Sequence, residues 1–538
     1  MQKFRIKTMH YIGVCLFRVK EIFSLDLRSL ALFRASFALL LLSDLVVRAQ
    51  ALLAHYSDLG VLPRELAAQY YRQPFFFSPH FLSGSPEAQA ALFIIAAVCA
   101  LLLLVGYKTR LATIVSWFLL ISLQRRNPLV LQGGDILMRV ALFWAMFLPW
   151  GKRYSVDGVR ARARHTRNWY SSPWSAAFVL QIAFVYLFAG FLKNGVEWTR
   201  EGSAIYYALS TDQFTKPFGY LLLQFPDLLR LLTLATLHFE RFAPLLFFSP
   251  IFTRGLRLVA IAGFMVMHVG FMMSMHLGVF PWIGISTMLA LLPSSFWNCA
   301  WCGGAVGRVH HALRLRTPPR ARALLWSLKA RVNTFIAARQ RRKSHLSFVH
   351  AKAPAPLHIR LWRQGAGAFG TALALSLIVL VLLWNIAELP RPPFEMPPVL
   401  RDIARTLYIG QRWAMFAEPT REDGWYAILG TRADGSILDL FRDGATPSFE
   451  KPRSVATLYK TDRWRKYFMN LYQERHTDYR QYYAAYLCRA WNNSLNEAER
   501  VVKIDIIFMS EITLPRRESP PEKKLLGTYA CAAQAPTP

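Results

Sequence analysis

Acidic residues are scarce in this 538-residue chain: 32 Asp and Glu stand against 64 Lys and Arg, a formal charge of +32. Cysteine is scarcer still, and six residues are too few for a disulfide scaffold. There is no Walker loop, dinucleotide fingerprint or HExxH helix. The lone CxxC, Cys299-Ala-Trp-Cys302 followed by His310 and His311, lacks the second pair that would make a strong zinc signal. Reduced thiols are the default there, and no metal is expected. No cleavable signal peptide is evident. The apolar run Met9 to Phe17 is too short to span and reads as an interfacial helix, with Arg18 and Lys20 at the headgroups. No inverted repeat or pair of broken helices is visible, which argues against a secondary transporter. Nucleic-acid binding lacks any supporting motif.

What is present is hydrocarbon: 54% of residues are hydrophobic and the mean hydropathy is +0.24. The apolar residues are bunched into blocks long enough to cross about 30 Å of lipid. The expected fold is an all-α polytopic membrane bundle of about nine transmembrane helices, followed by a small α+β extramembrane domain. The spans are read at 29–52, 88–107, 109–124, 135–150, 174–194, 226–249, 256–275, 277–297 and 367–388. The positive-inside rule fits an inner N-terminus, because 151–173 is basic and 298–366 holds 14 Lys and Arg with no acidic residue. Arg125 and Arg126 are the exceptions, falling in an outer loop. The expected division is a basic N-terminal segment 1–28, an eight-span bundle 29–297, a basic cytoplasmic segment 298–366, a ninth helix 367–388, a Pro-rich linker 389–398 and an outer domain 399–538. The basic segment can serve anionic lipid, at about 1 kcal/mol per cation, or topology alone.

The tail reads as a folded domain. WYAILGTRADGSILDLF (425–441) suggests two strands around Ala433-Asp434-Gly435. Trp464, Tyr467, Phe468, Leu471 and Tyr472 lie on one helical face, and Tyr479, Tyr482, Tyr483, Tyr486 and Leu487 on another. Residues 502–508 and 525–531 read as strands. Cys488 and Cys531 are either two separate thiols or, if the domain faces an oxidising compartment, a disulfide.

Charges inside spans cost roughly 2.5–3.5 kcal/mol each at mid-helix, so each needs a partner or a use. Arg34 and Asp44 sit in the first span, and Asp135 and Arg139 at i and i+4 in the fourth; both are read as structural polar pairs. Glu240 and Arg241 interrupt the sixth span, and His268 lies within the seventh. Lys193 closes the fifth in VYLFAGFLKNGVEW. It either snorkels to the interface beside Trp198 or, kept from water, supplies a general base.

LALFRASFALLLLSDL, VGYKTRLATIVSWFLL, KRYSVDG, VYLFAGFLKNGVEW, MHVGFMMSMHLGVFPW and LALLPSSFW, in that order, resemble the horizontally transferred transmembrane (HTTM) domain of vitamin K-dependent γ-carboxylases and their bacterial relatives. RADGSILDL and RWRKYFMNL resemble the carboxylase region that follows the membrane part. The resemblance implies a lysine base in AG-x-x-K-x-x-x-x-W, here Ala189, Gly190, Lys193 and Trp198. That base would deprotonate a reduced vitamin K-type quinone, with oxygen and carbon dioxide as co-substrates. It also implies a substrate cavity involving His268, Trp198, Tyr186 and Glu240, and a protein or peptide substrate on the outer side. The family's paired lysines are Leu192-Lys193 here, its histidine near the start of the fourth span is Gly134, and its C-terminal region is shortened. The expected setting is a bacterial inner membrane, with the N-terminus cytoplasmic and the C-terminal domain outside. The competing expectation is a non-catalytic bundle that binds a membrane lipid or isoprenoid, with the outer domain holding a partner.

Overall fold

A computed structural model of the chain describes residues 18–69, 78–161, 167–299, 357–493, 496–514 and 517–531. The Met9–Phe17 run and most of the basic 298–366 segment, with Cys302, His310 and His311, lie outside the described residues. Residues 1–292 and 377–538 form one compact unit, and 293–376 a second. In the first unit the bundle helices are α1 (Leu27–Ala49), α2 (Pro86–Val105), α3 (Thr109–Arg126), α4 (Gly133–Ala145), α5 (Pro173–Leu192), α6 (Pro226–Phe242), α7 (Thr253–Ser274) and α8 (Phe280–Ala290). The long helix α9 (Leu357–Ala387) begins in the second unit and ends in the first.

Six described helices are long and apolar enough to span a membrane: α1, α2, α5, α6 with its 3₁₀ extension to Phe248, α7, and Gly367–Ala387 of α9. The expectation of nine is therefore corrected. The apolar stretch of α3 runs only from Leu111 to Leu123 before Gln124, Arg125 and Arg126, which at 1.5 Å per residue covers about 20 Å. α4 has 13 residues and α8 has 11, and both are largely buried. Their hydrophobicity serves protein packing: α4 lies against α3, α5 and α8, and α8 against α1 and α7. Hydropathy counts apolar side chains without recording whether lipid or protein covers them. An odd span count thus no longer supports the placement of the tail.

α1 marks two ends of the bundle about 34 Å apart. At its start, Leu25 and Asp26 pair antiparallel with Tyr170 and Trp169, and Arg257 donates to the Ile22 and Ser24 carbonyls. At its far end Arg48 meets the C-terminal domain through a buried ionic cluster. Arg48 binds Asp44 at 2.7 Å and also Asp135. Arg463, from the C-terminal domain, binds Asp44 at 2.6 Å and Asp135 at 2.5 Å.

The two structural pairs read from the sequence are corrected by this arrangement. Arg34 and Asp44 are ten residues apart on one helix, about 15 Å along its axis, so they cannot meet. Arg34 instead donates to the Trp150, Arg153 and Tyr154 carbonyls. Asp135 lies in the first turn of α4, accepts from the Gln132 amide and holds Arg48 and Arg463. Arg139, one turn on, donates to the Tyr408 and Gly410 carbonyls. Arg125 and Arg126 are also spoken for: Arg125 lies over the Tyr408 ring, and buried Arg126 binds Asp58 and the Leu62 carbonyl. Both cations are held within the fold.

The C-terminal domain is mixed α+β. A helical turn, α10 (Pro398–Thr406), leads into β1 (Glu422–Arg432) and β2 (Ile437–Asp439). α11 (Asp462–Tyr472) and α12 (Arg480–Asn492) follow, then β3 (Val501–Leu514) and β4 (Glu522–Ala530). β3 is central, antiparallel to β1 on one side and β4 on the other, while β2 extends the edge beyond β1. Thr461 caps α11 by accepting from the Trp464 amide. One face of α11 buries Tyr467, Phe468 and Leu471 against Tyr426, Ile504 and Ile506. Val61, Leu62, Leu129 and Val130, from loops of the bundle, belong to the same core. The Cys488 and Cys531 sulfurs are bonded, with Cα atoms 5.6 Å apart.

Candidate functional site

α5 is the most enclosed of the six long helices, with 72% of its apolar window buried. Ser172 caps it reciprocally with Ser175, and Pro173 occupies its first turn. Its other end is finished by a neighbour: Arg241 donates to the Gly190 carbonyl at 2.9 Å and to the Lys193 carbonyl at 3.0 Å. A cation here satisfies carbonyls that a helix end leaves without partners. Gly190 permits the contact, since a Cβ there would lie 2.9 Å from Arg241 Cγ and 3.0 Å from its backbone nitrogen. The AG-x-x-K spacing is thus a packing device. It seats α5 against α6 and delivers Lys193, just past the helix end, to Glu240.

Lys193 Nζ donates to Glu240 Oε2 at 2.5 Å, and each side chain is 6% exposed. The Trp198 ring lies 5.2 Å from the same nitrogen, and the indole N–H donates to the Phe416 carbonyl. Tyr186, two turns before Lys193 on α5, shares a 2.8 Å hydrogen bond with His268 Nε2 and stacks on Phe264. His268 Nδ1 is buried with no hydrogen-bond partner among the described residues. Gly284 makes room for this imidazole: a Cβ would sit 2.1 Å from Nε2.

Lys193, Glu240, Trp198, Tyr186 and His268 line one cavity of about 360 Å³, in the volume range of small-molecule sites. Its other walls are largely apolar, including Leu209, Phe271, Met275 and Phe280. Arg412, Trp413, Met415 and Phe416 complete it. These four were not legible as site residues, because they come from the segment after α10. A hydrogen-bond chain holds that segment on the bundle. Trp413 Nε1 donates to Gln411 Oε1, which accepts from Gln181 Nε2; Trp144 Nε1 donates to Gln181 Oε1. Gly134, in the first turn of α4, faces the start of α8. A Cβ there would meet the Phe280 backbone at 3.3 Å, so main chain packs closely at this position.

The donor set suits a ligand with a hydrocarbon body and a hydroxyl. The pair places an ammonium and a carboxylate at one wall, and His268 Nδ1 has unused hydrogen-bonding capacity among the described residues.

A second cluster escaped the sequence reading. Asp212, Asp423 and Glu511 form a candidate acidic metal-binding triad, with carboxylate oxygens within 4.8 Å of one another. No spacing pattern announces residues drawn from a bundle loop and two strands. Lys451 Nζ lies 2.7 Å from both Asp212 Oδ2 and Glu511 Oε1. A divalent ion would have to displace that ammonium. Burial, with the Asp212 charge adding to it, pushes the Asp423 carboxyl up to about 7.

The chain matches the family described as the HTTM domain over residues 24–297, just over half its length. No curated protein and no solved structure matches it.

Proposed function

The chain belongs to the HTTM-domain family and is a multi-pass membrane protein, and from that premise we propose that its cavity takes a hydrophobic hydroxyl-bearing ligand of the reduced-quinone class. The Lys193–Glu240 pair receives the hydroxyl proton. The observation that carries this reading is the pair itself, 2.5 Å apart and 6% exposed at the wall of an apolar cavity. A buried ion pair is often no more stabilising than apolar residues of the same volume, so stability alone is a weak reason to keep it.

A reduced quinone supplies a phenolic hydroxyl whose deprotonation makes the ring electron-rich towards oxygen. Tyr186 orients His268, and His268 hydrogen-bonds the far end of the ring. The apolar walls and Trp413 exclude water, and the Trp198 face stabilises the cation it covers. Glutamate carboxylation is the further step that the γ-carboxylase resemblance suggests; Gly134 in place of the family histidine weighs against it.

The experiment is to incubate purified protein with reduced naphthoquinone and oxygen, with and without a glutamyl peptide, and to assay quinone epoxide and fixed carbon dioxide. The expected result is oxidised product that Lys193→Met and Glu240→Gln abolish. One observation favours the competing reading: Glu240 already neutralises Lys193, as a structural pin between α5 and α6 would require. In that case the cavity binds a lipid or isoprenoid without turnover, and Lys193→Met leaves its affinity unchanged.

We also propose that the C-terminal domain faces an oxidising compartment. Its Cys488–Cys531 bond supports this. So does its place at the end of α1 opposite the Leu25 end.

A further inference from the structure

Beside the apolar cavity lies a separate polar cleft of about 540 Å³, bounded by the α7–α8 connection and residues 456–465 of the C-terminal domain. Lys216, His276, Lys460 and Arg465 line it, together with the Thr457 and Thr461 residues and one acidic residue, Asp462. The Asp462 carboxylate accepts from Gln132 Nε2 at 2.6 Å, and its charge also acts on Arg465. Arg48, Arg463 and Lys193 are buried cations with carboxylate partners. Among the described residues, the hydrogen bonds of Arg465 and Lys216 go to backbone carbonyls. Arg465 donates to the Gln213 and His276 oxygens and lies 4.6 Å from the Phe214 ring centre; Lys216 donates to the Met272 oxygen at 2.6 Å. Lys460 is mostly exposed, its nearest carboxylate being Asp443 at 3.4 Å.

Fixed cations facing one another across a recess, beside hydroxyls, form the donor set that recognises a phosphate group. Burial lowers the affinity of Lys216 and His276 for protons, and the Arg465 charge lowers it further. Lys216, Lys460 and Arg465 set against the single Asp462 give the cleft an excess of positive charge that a bound anion would relieve. Met275 and Leu277 line both this cleft and the apolar cavity, so a single layer of side chains divides them. One of the two is a methionine, the most adaptable of apolar side chains.

We propose that this cleft binds the phosphate head group of an amphiphile whose hydrocarbon part lies in the adjoining cavity. The inference rests on the competing reading of that cavity as a lipid or isoprenoid site, and it adds the class of head group. Lys216 and Lys460 attract and orient the anion, while Arg465, pinned by two carbonyls and an aromatic ring, sets the floor of the site.

The test uses the full chain in an uncharged detergent, with thermal melts followed by intrinsic fluorescence. Three probes are titrated: inorganic phosphate, a single-chain lipid ending in a phosphate monoester, and the uncharged monoacylglycerol of the same chain length. The phosphate lipid is expected to bind roughly tenfold more tightly than the uncharged lipid, as charge-assisted hydrogen bonds allow. Lys216→Gln and Lys460→Gln should each erase most of that difference without changing the uncharged lipid. Arg465 is left intact because it also holds the backbone. Inorganic phosphate that competes with the lipid supports the site and identifies the free anion as sufficient. Phosphate binding with no binding of either lipid sinks the lipid reading of the cavity, overturns the amphiphile proposal and leaves the cleft as an anion site. Equal affinity for the charged and uncharged lipids, or wild-type behaviour in both lysine variants, overturns the proposal.

Discussion

Replacing Glu240 by Gln removes one charge from a pair that has almost no water around it. The carboxylate lies 2.5 Å from Lys193 Nζ, and both side chains are 6% exposed. The amide keeps the size and one oxygen acceptor, so the cavity shape persists while the ammonium loses its counter-charge. Breaking a buried pair from one side costs about 3–5 kcal/mol, and Lys193→Met, which strands the carboxylate, should cost a similar amount. The double replacement Lys193→Met with Glu240→Gln strands neither charge. It should cost less than either single change, giving a coupling energy of roughly 2–4 kcal/mol in a double-mutant cycle. The assay is reversible unfolding in mixed micelles, alongside quinol turnover by the same four proteins. Turnover should vanish in all three variants, although the double variant regains stability. Single variants within about 0.5 kcal/mol of wild type, with additive effects in the double, would show that water reaches the pair; the cavity would then offer no special setting for proton transfer.

Arg463→Met leaves Asp44 and Asp135 sharing Arg48 alone, and should cost about 3–5 kcal/mol, read as early proteolytic release of the C-terminal domain. Gly284→Ala places a methyl 2.1 Å from His268 Nε2; it should cost about 1–3 kcal/mol and weaken ligand binding more than Lys193→Met does. Asp423 has its carboxyl raised to about 7 from an ordinary value of 3.8, so ionising it costs the folded state more than the unfolded one. This penalty is absent below pH 3.8, grows as pH climbs to 7, and is constant above, reaching on the order of 4 kcal/mol. Asp423→Asn should flatten that slope in melting temperature against pH, and an unchanged slope would assign it to another group. Reducing the Cys488–Cys531 bond, which closes a loop across a separation of 43 residues, should lower stability by about 4 kcal/mol, measured by denaturation with and without reductant.

The polar residues of the cavity could be picked out in the sequence because each is conspicuous in a lipid-soluble helix. Lys193, Glu240, Tyr186 and His268 stand out against their neighbours, and folding gathers them around one cavity. The partners of the buried charges could not be read the same way. Asp44 finds Arg463, 419 positions away, and no local spacing rule reaches that far. Spans failed for a related reason. α4 and α8 are as greasy as membrane helices, yet what they face is protein, and length was the only clue. The strands and helices of the C-terminal domain were more accessible, since the period-2 and period-3.6 patterns around Trp425, Tyr467 and Ile504 are local properties of a half-buried chain.

The contribution of Trp413 and Phe416 to the cavity bears on how such proteins can be dissected. The matched family region ends at residue 297, more than a hundred positions before these side chains. Expressing that region alone would unroof the chamber, admit solvent to its ionic pair and strip Asp44 and Asp135 of Arg463. The matched region and the enclosed cavity therefore have different borders, and cutting the chain at the first removes part of the wall of the second.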